Sequence, residues 1–459
     1  MKRNVNMLSG SIVGGLLALA LPVIVMNVLQ SLFTMVDMKV LKEFAESAEA
    51  ADVSVGAIGA ASFLITLVTS LVFGVSTGAN VVIARNIGRK DREAVSRSVG
   101  TSLMFSAVGG IALMLVGILG AKQFLIWTDC DESLLSDATL YFRMYFVGAP
   151  LLVFCNFGGA ILRAKGDSGG PMLYMTIGGV VKILVNLLAV GVLKMGLMGL
   201  SLATIVSWGV SSVLFAIAIW KKGNPVFVGR KYIRFYKEEL KSMLHIGIPA
   251  GMQTALYSLA NVVISKAVNG FGPNATTGLG IANTYDGIIY NVSVGAAAAV
   301  MPYMSQNIGA GNLMRARQAM NRGIWITVIL GGILGALSAI FSGPLSAVMS
   351  DNQEVIAFSQ QKMIVVSSCY FLSGINEIMC AALRAVKKPI IPTVATLMYM
   401  CVIRFIWVYA VFPFVPQNLT FLYLVWPIGW LLSIVTLLVY YFPAVKKLEK
   451  EEQPKLRPI

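Results

Sequence analysis

Asp37, Lys182, Asp286, Glu377 and Arg404 are ionisable residues set inside long apolar stretches of a 459-residue chain. A charge at mid-bilayer depth costs at least about 2.5 to 3.5 kcal/mol on insertion scales, so such residues are the first candidates for ion or ligand chemistry. Asp37 stands 15 residues beyond Pro22, toward the outer end of the first stretch. Asn186 in the fifth stretch and Thr204 in the sixth fall at a comparable depth when the chain weaves back and forth through a bilayer. Carboxylate, amide and hydroxyl oxygens are the hard ligands a sodium ion takes, and a buried carboxylate can carry a proton instead. Lys39 and Lys42 follow closely, so the competing reading of Asp37 is a solvated helix end. Lys182, central in the fifth stretch, is either a charge that replaces a bound cation or a structural partner of Asp37.

The second half of the chain offers a different set. Glu377 lies in the inner half of the tenth stretch with no partner visible in the sequence, which makes it a candidate to bind protons or a cationic substrate. Asp286 in the eighth stretch is either a second such carboxylate or the ion-pair partner of Arg404, which falls at a similar depth in the eleventh; the pair is favoured because a lone buried charge is expensive. Tyr257, Tyr285, Tyr290, Met252 and Phe154 supply aromatic faces and flexible thioether for a cavity that admits flat hydrophobic cations, or else simply pack. Lys182 and Arg404 are the basic side chains such a cavity would contain. An ATP-binding loop of the form Gly-x-x-x-x-Gly-Lys-Ser/Thr does not occur, and the one histidine, His245, sits at the entry to the seventh stretch. With neither a nucleophile and base nor a metal cluster, the chain does not read as an enzyme, and the expected requirement is a coupling ion, Na+ or H+, in place of a cofactor.

The elements that must position these groups are membrane helices. Of the residues, 57% are hydrophobic and 12% charged, about half the charged fraction of roughly 25% in soluble domains. Twelve stretches long enough to span a bilayer are centred near residues 24, 68, 110, 150, 182, 208, 256, 290, 334, 372, 402 and 430. The first is too long for the apolar core of a secretory signal and reads as a retained helix. The net charge of +15 comes from Lys and Arg clustered on alternate connections. That is the positive-inside pattern of a multi-pass plasma (inner) membrane protein with both termini cytoplasmic, not the footprint of a nucleic-acid partner. In this placement Arg163 belongs to an inner connection and Lys362 to an outer loop. The five cysteines read as free thiols.

Asn86-Ile87-Gly88 recurs as Asn307-Ile308-Gly309, and Leu162-Arg163-Ala164 as Leu383-Arg384-Ala385, both at an offset of 221 residues. One six-helix module is therefore written twice. The expected organisation is an N-terminal lobe over 1–220, a basic aromatic linker at the inner surface over 221–241, a C-terminal lobe over 242–445 and a cytoplasmic tail over 446–459. Six is even, so the copies run parallel. The fold class is all-α integral membrane: twelve transmembrane helices in two six-helix lobes related by pseudo-two-fold symmetry along the membrane normal. Pro22 and Pro249 occupy equivalent places in the first helix of each lobe and favour kinks there.

Arg85-Asn86-Ile87-Gly88-Arg89-Lys90-Asp91, its echo Gln306-Asn307-Ile308-Gly309-Ala310-Gly311-Asn312, and Leu162-Arg163-Ala164-Lys165-Gly166-Asp167 together resemble the inner loops of the multidrug and toxic compound extrusion (MATE) transporters, bacterial type. The likeness spans nearly the whole chain. Major facilitator transporters share the helix count, but their charged glycine motif has a different order. The resemblance implies a secondary active exporter working by antiport and alternating access, driven by Na+ or H+, moving amphipathic, cationic organic compounds, functional as a monomer in membrane lipid. It also implies that Asp37 matches the acidic residue of the family's N-terminal cation site, with Asn186 and Thr204 beside it. The chain departs from the pattern at Val190, where the family often has a second acid, and over Gln253-Thr254-Ala255-Leu256-Tyr257, where some members carry a coupling glutamate. Alternatives are a flippase for lipid-linked oligosaccharide using Lys182 or Arg404, or a narrow-specificity metabolite exporter of the same superfamily; an integral-membrane enzyme ranks below both.

Overall fold

The computed structural model describes residues 5–44, 47–128, 130–221, 223–415 and 418–452. Lys2, Arg3, Lys222, Lys455 and Arg457, part of the charge argument, lie outside the described residues, as does the expected tail beyond 452. Among the described residues the regular structure is helical, with no strand. The long helices are α1 Ile12–Glu43, α2 Ala48–Gly88, α3 Arg92–Trp127, α4 in two segments Glu132–Val147 and Ala149–Ala164, α5 Gly169–Val192, α6 Gly196–Trp220, α7 Lys237–Asn269, α8 Pro273–Gly309, α9 Leu313–Ile340, α10 Gln353–Ala385, α11 Ile390–Phe414 and α12 Leu419–Lys450. All except α4 and α7 are individually long and apolar enough to cross a membrane, and α4 is so as a pair bent by 49°. α7 has 33 residues, more than the roughly 20 a bilayer requires. Each of the twelve expected stretches thus holds a helix.

Sequence explains the irregularities. Pro150, at the start of the second segment of α4, has no N–H to give the preceding turn, and the helix bends there. At the repeat-equivalent place α10 tightens into a 3-10 turn over Ser367–Cys369. The helices α5 and α11 widen into π turns at Leu187–Val192, Leu397–Val402 and Trp407–Val411, next to Asn186 and Arg404. Such turns re-aim neighbouring side chains and recur at functional sites.

The repeated inner loops are capping devices. Asp91 accepts a hydrogen bond from Ala94 N at 2.9 Å, and Asn312, its equivalent, accepts one from Arg315 N at 3.1 Å. Each satisfies an orphan donor at the start of a helix. The chain takes a left-handed turn at Lys90 and at its equivalent Gly311, and again at Gly166 and its equivalent Lys387. One copy of each pair uses the glycine that this conformation favours and the other tolerates lysine.

Two compact units result: Met1–Val5 with Val25–Gly251, and Asn6–Ile24 with Met252–Ile459. The division runs through α1 two residues past Pro22 and through α7 two residues past Pro249. The first half of α7, beyond the basic linker, therefore belongs to the first unit. There Gly74 and Gly78 of α2 meet Gly247 and Gly251 of α7, and a methyl group on Gly74 would lie 2.3 Å from the Gly247 carbonyl oxygen. Both helices carry Gly-x-x-x-Gly, which brings backbones together in lipid. In the second unit Gly295, the repeat of Gly74, packs in the same way on Ala20 and Ile24 of α1.

Candidate ion and substrate sites

Lys182 and Asn186 are one turn apart on α5, so both side chains reach the same neighbour. That neighbour is Asp37 of α1. The Lys182 ammonium donates to Asp37 Oδ2 at 2.5 Å, and the Asn186 amide donates to Oδ1 at 2.5 Å. Asp37 is 5% exposed and Asn186 fully buried. Asp37 is therefore not a solvated helix end but the buried carboxylate of an ion pair whose lysine is partly buried. Asn186 Oδ1, also buried, has no donor among the described residues. Thr204 stands apart, its hydroxyl bonded to the Leu200 carbonyl of its own helix at 3.0 Å, and Val190 packs in the apolar interior.

A cavity of about 420 Å³ opens beside this group, with Lys182 in its wall. The other charged residue of the wall is Arg163, near the end of the second segment of α4. It stands in the last turn of the helix, which runs on to Ala164 at the edge of the expected inner connection, and its side chain is partly buried. Phe154 is not in this wall.

The second unit pairs its charges differently from the sequence expectation. Asp286 binds Lys362, with Nζ 2.9 Å from Oδ2, and accepts a hydrogen bond from the Ser367 hydroxyl at 2.7 Å. Lys362 also donates to Asn283. It is no outer-loop residue: α10 starts at Gln353, and Lys362 is 2% exposed. The helix start had a signal, since Asn352 caps it by accepting from Glu354 N at 3.0 Å. Arg404, fully buried, gives Nη1 to Asn261 Oδ1 at 2.6 Å instead of to Asp286, while Nε and Nη2 have no hydrogen-bond partner among the described residues.

Tyr257, Tyr290, Asp286 and Lys362 line a second cavity of about 320 Å³, together with Tyr370 and Trp426. Tyr257 and Tyr290 stack with centroids 6.4 Å apart. Their region already holds cations: Arg404 lies 5.3 Å from the Tyr257 ring centre and 5.0 Å from that of Trp426, and Lys362 is 5.5 Å from the latter. Glu377 accepts a hydrogen bond from the Tyr290 hydroxyl at 3.3 Å, so it has the partner that sequence did not reveal. Tyr285 lies outside this cavity and donates to the Leu345 carbonyl at 2.7 Å; Met252, 46% exposed, is outside it too. Gln253, in the segment that lacks the family glutamate, accepts from Arg384 at 2.5 Å and donates to Cys380 Sγ at 3.5 Å.

The family model described as MatE matches residues 22–188 and again 249–410. The chain belongs to the MatE family. The two matched segments follow the repeat. A relative in Bacillus subtilis, described as probable multidrug resistance protein YoeA, is 27% identical, covering 73% of this chain and 74% of its own. One in Shewanella oneidensis, described as an FAD transporter, is 25% identical over 72% of this chain and 74% of its own. Among solved structures, the outward-facing conformation of a multidrug resistance MATE family transporter of the MOP superfamily matches the fold with a TM-score of 0.88 at 19% identity, covering 98% of this chain and 99% of that one. The MatE chain is accordingly a multi-pass membrane transporter, the class the sequence favoured over an enzyme.

Proposed function

We propose that this MatE protein is an ion-coupled exporter that moves amphipathic organic compounds out across the plasma (inner) membrane by antiport and alternating access, with both termini cytoplasmic, as a monomer in membrane lipid. The observation that carries the reading is the contact between Asp37 and Lys182, because Lys182 also lines the cavity of the first unit. A proton on Asp37, or a sodium ion taken by the oxygens of Asp37 and Asn186, removes the negative partner of Lys182. Ion entry at Asp37 thereby changes the charge that the cavity presents to its cargo.

In this scheme the small-molecule substrate and the ion act on one ion pair rather than on two distant sites. Thr204, bonded within its own helix, plays no part in it. Glu377 and Asp286 serve the second unit, Asp286 as the fixed counter-ion of Lys362. The cationic cargo expected from the sequence would need aromatic faces that Lys362 and Arg404 already occupy in that unit. A narrower exporter of a single metabolite is the second reading, favoured by the Shewanella relative described as an FAD transporter.

The test is transport into proteoliposomes under an imposed proton or sodium gradient, comparing wild type with Asp37→Asn. Accumulation that follows one gradient and disappears in the variant is the expected result. Movement that ignores both gradients, or survives Asp37→Asn unchanged, overturns coupling through this pair.

A further inference from the structure

Arg163 and Arg384 hold equivalent places in the repeat, yet their surroundings differ in two residues. Seven positions before Arg384 stands Glu377, whose carboxylate lies within electrostatic reach of that guanidinium. Seven before Arg163 stands Asn156, which is neutral and gives its amide to the Leu152 carbonyl at 2.9 Å. Four positions before Arg384 stands Cys380, whose neighbour Gln253 takes the Arg384 hydrogen bond. Four before Arg163 stands Gly159. A methyl group there would lie 2.9 Å from Arg163 Nη1, so the missing side chain leaves room for the guanidinium to lie back along its own helix. Gly159 and Asn156 line the same cavity as Arg163, which places this charge against the cavity wall.

Among the described residues no carboxylate pairs with Arg163, and Lys182, the other cation of the wall, is already matched by Asp37. The wall thus carries one uncompensated positive charge in a chain where charge is expensive. Asn27 and Gln30 of α1 add amide donors to it, and Phe33, Tyr145 and Trp208 add aromatic surface. A cation entering this space would meet repulsion. A flat ring bearing a sulfonate, carboxylate or phosphate would instead complete the charge balance, its anionic oxygens on the guanidinium fork and its ring on the aromatic wall.

We infer that the cavity of the first unit is the binding site for an aromatic organic anion, with Arg163 as the residue that holds the anionic group and Gly159 and Asn156 as the residues that leave it available. The inference rests on the exporter reading and names the substrate class for it. In the second unit the same helix position is neutralised and diverted, so the two units are not equivalent binding sites.

The test uses one ring in three charge states. Naphthalenesulfonate, naphthalenemethanol and naphthylmethylammonium are titrated onto the full chain in lipid nanodiscs, against empty nanodiscs, by calorimetry. The sulfonate is expected to bind about tenfold more tightly than the alcohol, and the ammonium most weakly. Arg163→Gln should bring the sulfonate to the level of the alcohol, Arg163→Lys should keep most of the preference, and Arg384→Gln should leave it intact. Equal affinity for sulfonate and alcohol in the wild type, preference for the ammonium, or loss of discrimination through Arg384→Gln alone overturns the inference. Binding is read separately from transport. Sulfonate bound but none of the three probes moved supports the site and defeats the exporter reading; ammonium moved with no sulfonate bound does the reverse.

Discussion

Lys362 Nζ lies 2.9 Å from Asp286 Oδ2, and both residues are buried, at 2% and 4% exposure. The pair ties α10 to α8 beside the cavity of the second unit. Removing one partner leaves the other charge buried alone, which costs about 3–5 kcal/mol. Lys362→Met should therefore lower the unfolding temperature sharply. The double variant Lys362→Met with Asp286→Leu should recover most of the loss, since a matched apolar pair can replace a buried ion pair. Equal thermal shifts in the single and double variants would show that the ion pair does not carry the effect.

The Asp37 and Lys182 pair allows folding to be separated from coupling. Asp37→Asn alone strands a partly buried ammonium, so part of its effect will be on stability. In Asp37→Asn combined with Lys182→Met the stranded charge is gone, and the unfolding temperature should return toward that of the wild type. Gradient-driven transport should stay absent from the double variant. Its recovery alongside stability would mean that the pair is structural only.

The meeting of α2 with the first half of α7 tolerates no side chain. Gly247→Val places atoms within 2.4 Å of the Val75 Cα and should destabilise the first unit by about 3 kcal/mol or more. Gly332 of α9 is the control, because nothing lies within 4 Å of an added methyl group. Gly332→Ala should be neutral or gain up to about 1 kcal/mol from helix propensity. Unfolding in nanodiscs compares the two directly.

Between α3 and α4, Asp131 caps the following helix, accepting from Ser133 N at 2.8 Å and from the Ser133 hydroxyl at 2.6 Å. These two bonds hold its carboxyl below the ordinary value of 3.8. A depressed folded value means that the cap contributes above the unfolded pKa and is lost as pH falls through the folded one. The gap in unfolding temperature between wild type and Asp131→Ala should be full at about pH 6 and shrink on acidification below about pH 4. A gap that widens in acid would contradict the assignment.

Sequence carried the membrane class and the repeat because both rest on properties that survive without coordinates, namely apolar run length and register. It also puts Asp37, Asn186 and Thr204 at a common depth and offers Lys182 as a structural partner of Asp37, since depth follows from position along a helix. Rotation about the helix axis does not follow from it. Depth alone therefore points Arg404 at Asp286, whose partner is Lys362, and groups Thr204 with Asp37 and Asn186, although its hydroxyl bonds within its own helix. Lys362 reads as a loop residue because hydropathy puts a helix start where the apolar run begins, whereas Asn352 caps α10 ten residues before that lysine. Arg163 reads as a topology signal because a basic residue near a helix end counts toward sidedness. The guanidinium over Gly159, with Nη1 2.9 Å from where a methyl group would stand, shows which way its side chain lies.

The passage of α1 and α7 from one unit to the other two residues beyond Pro22 and Pro249 has a practical consequence for chimeras between relatives. A crossover placed in the basic linker would join α2 of one parent to the α7 of another, and would set Gly74 and Gly78 against a foreign helix. Moving the crossover to the bond between Gly251 and Met252 keeps that seam within one parent, although the residues that begin α1 then belong to the opposite donor. The chain recombines as three blocks, cut after Ile24 and after Gly251, rather than as two halves.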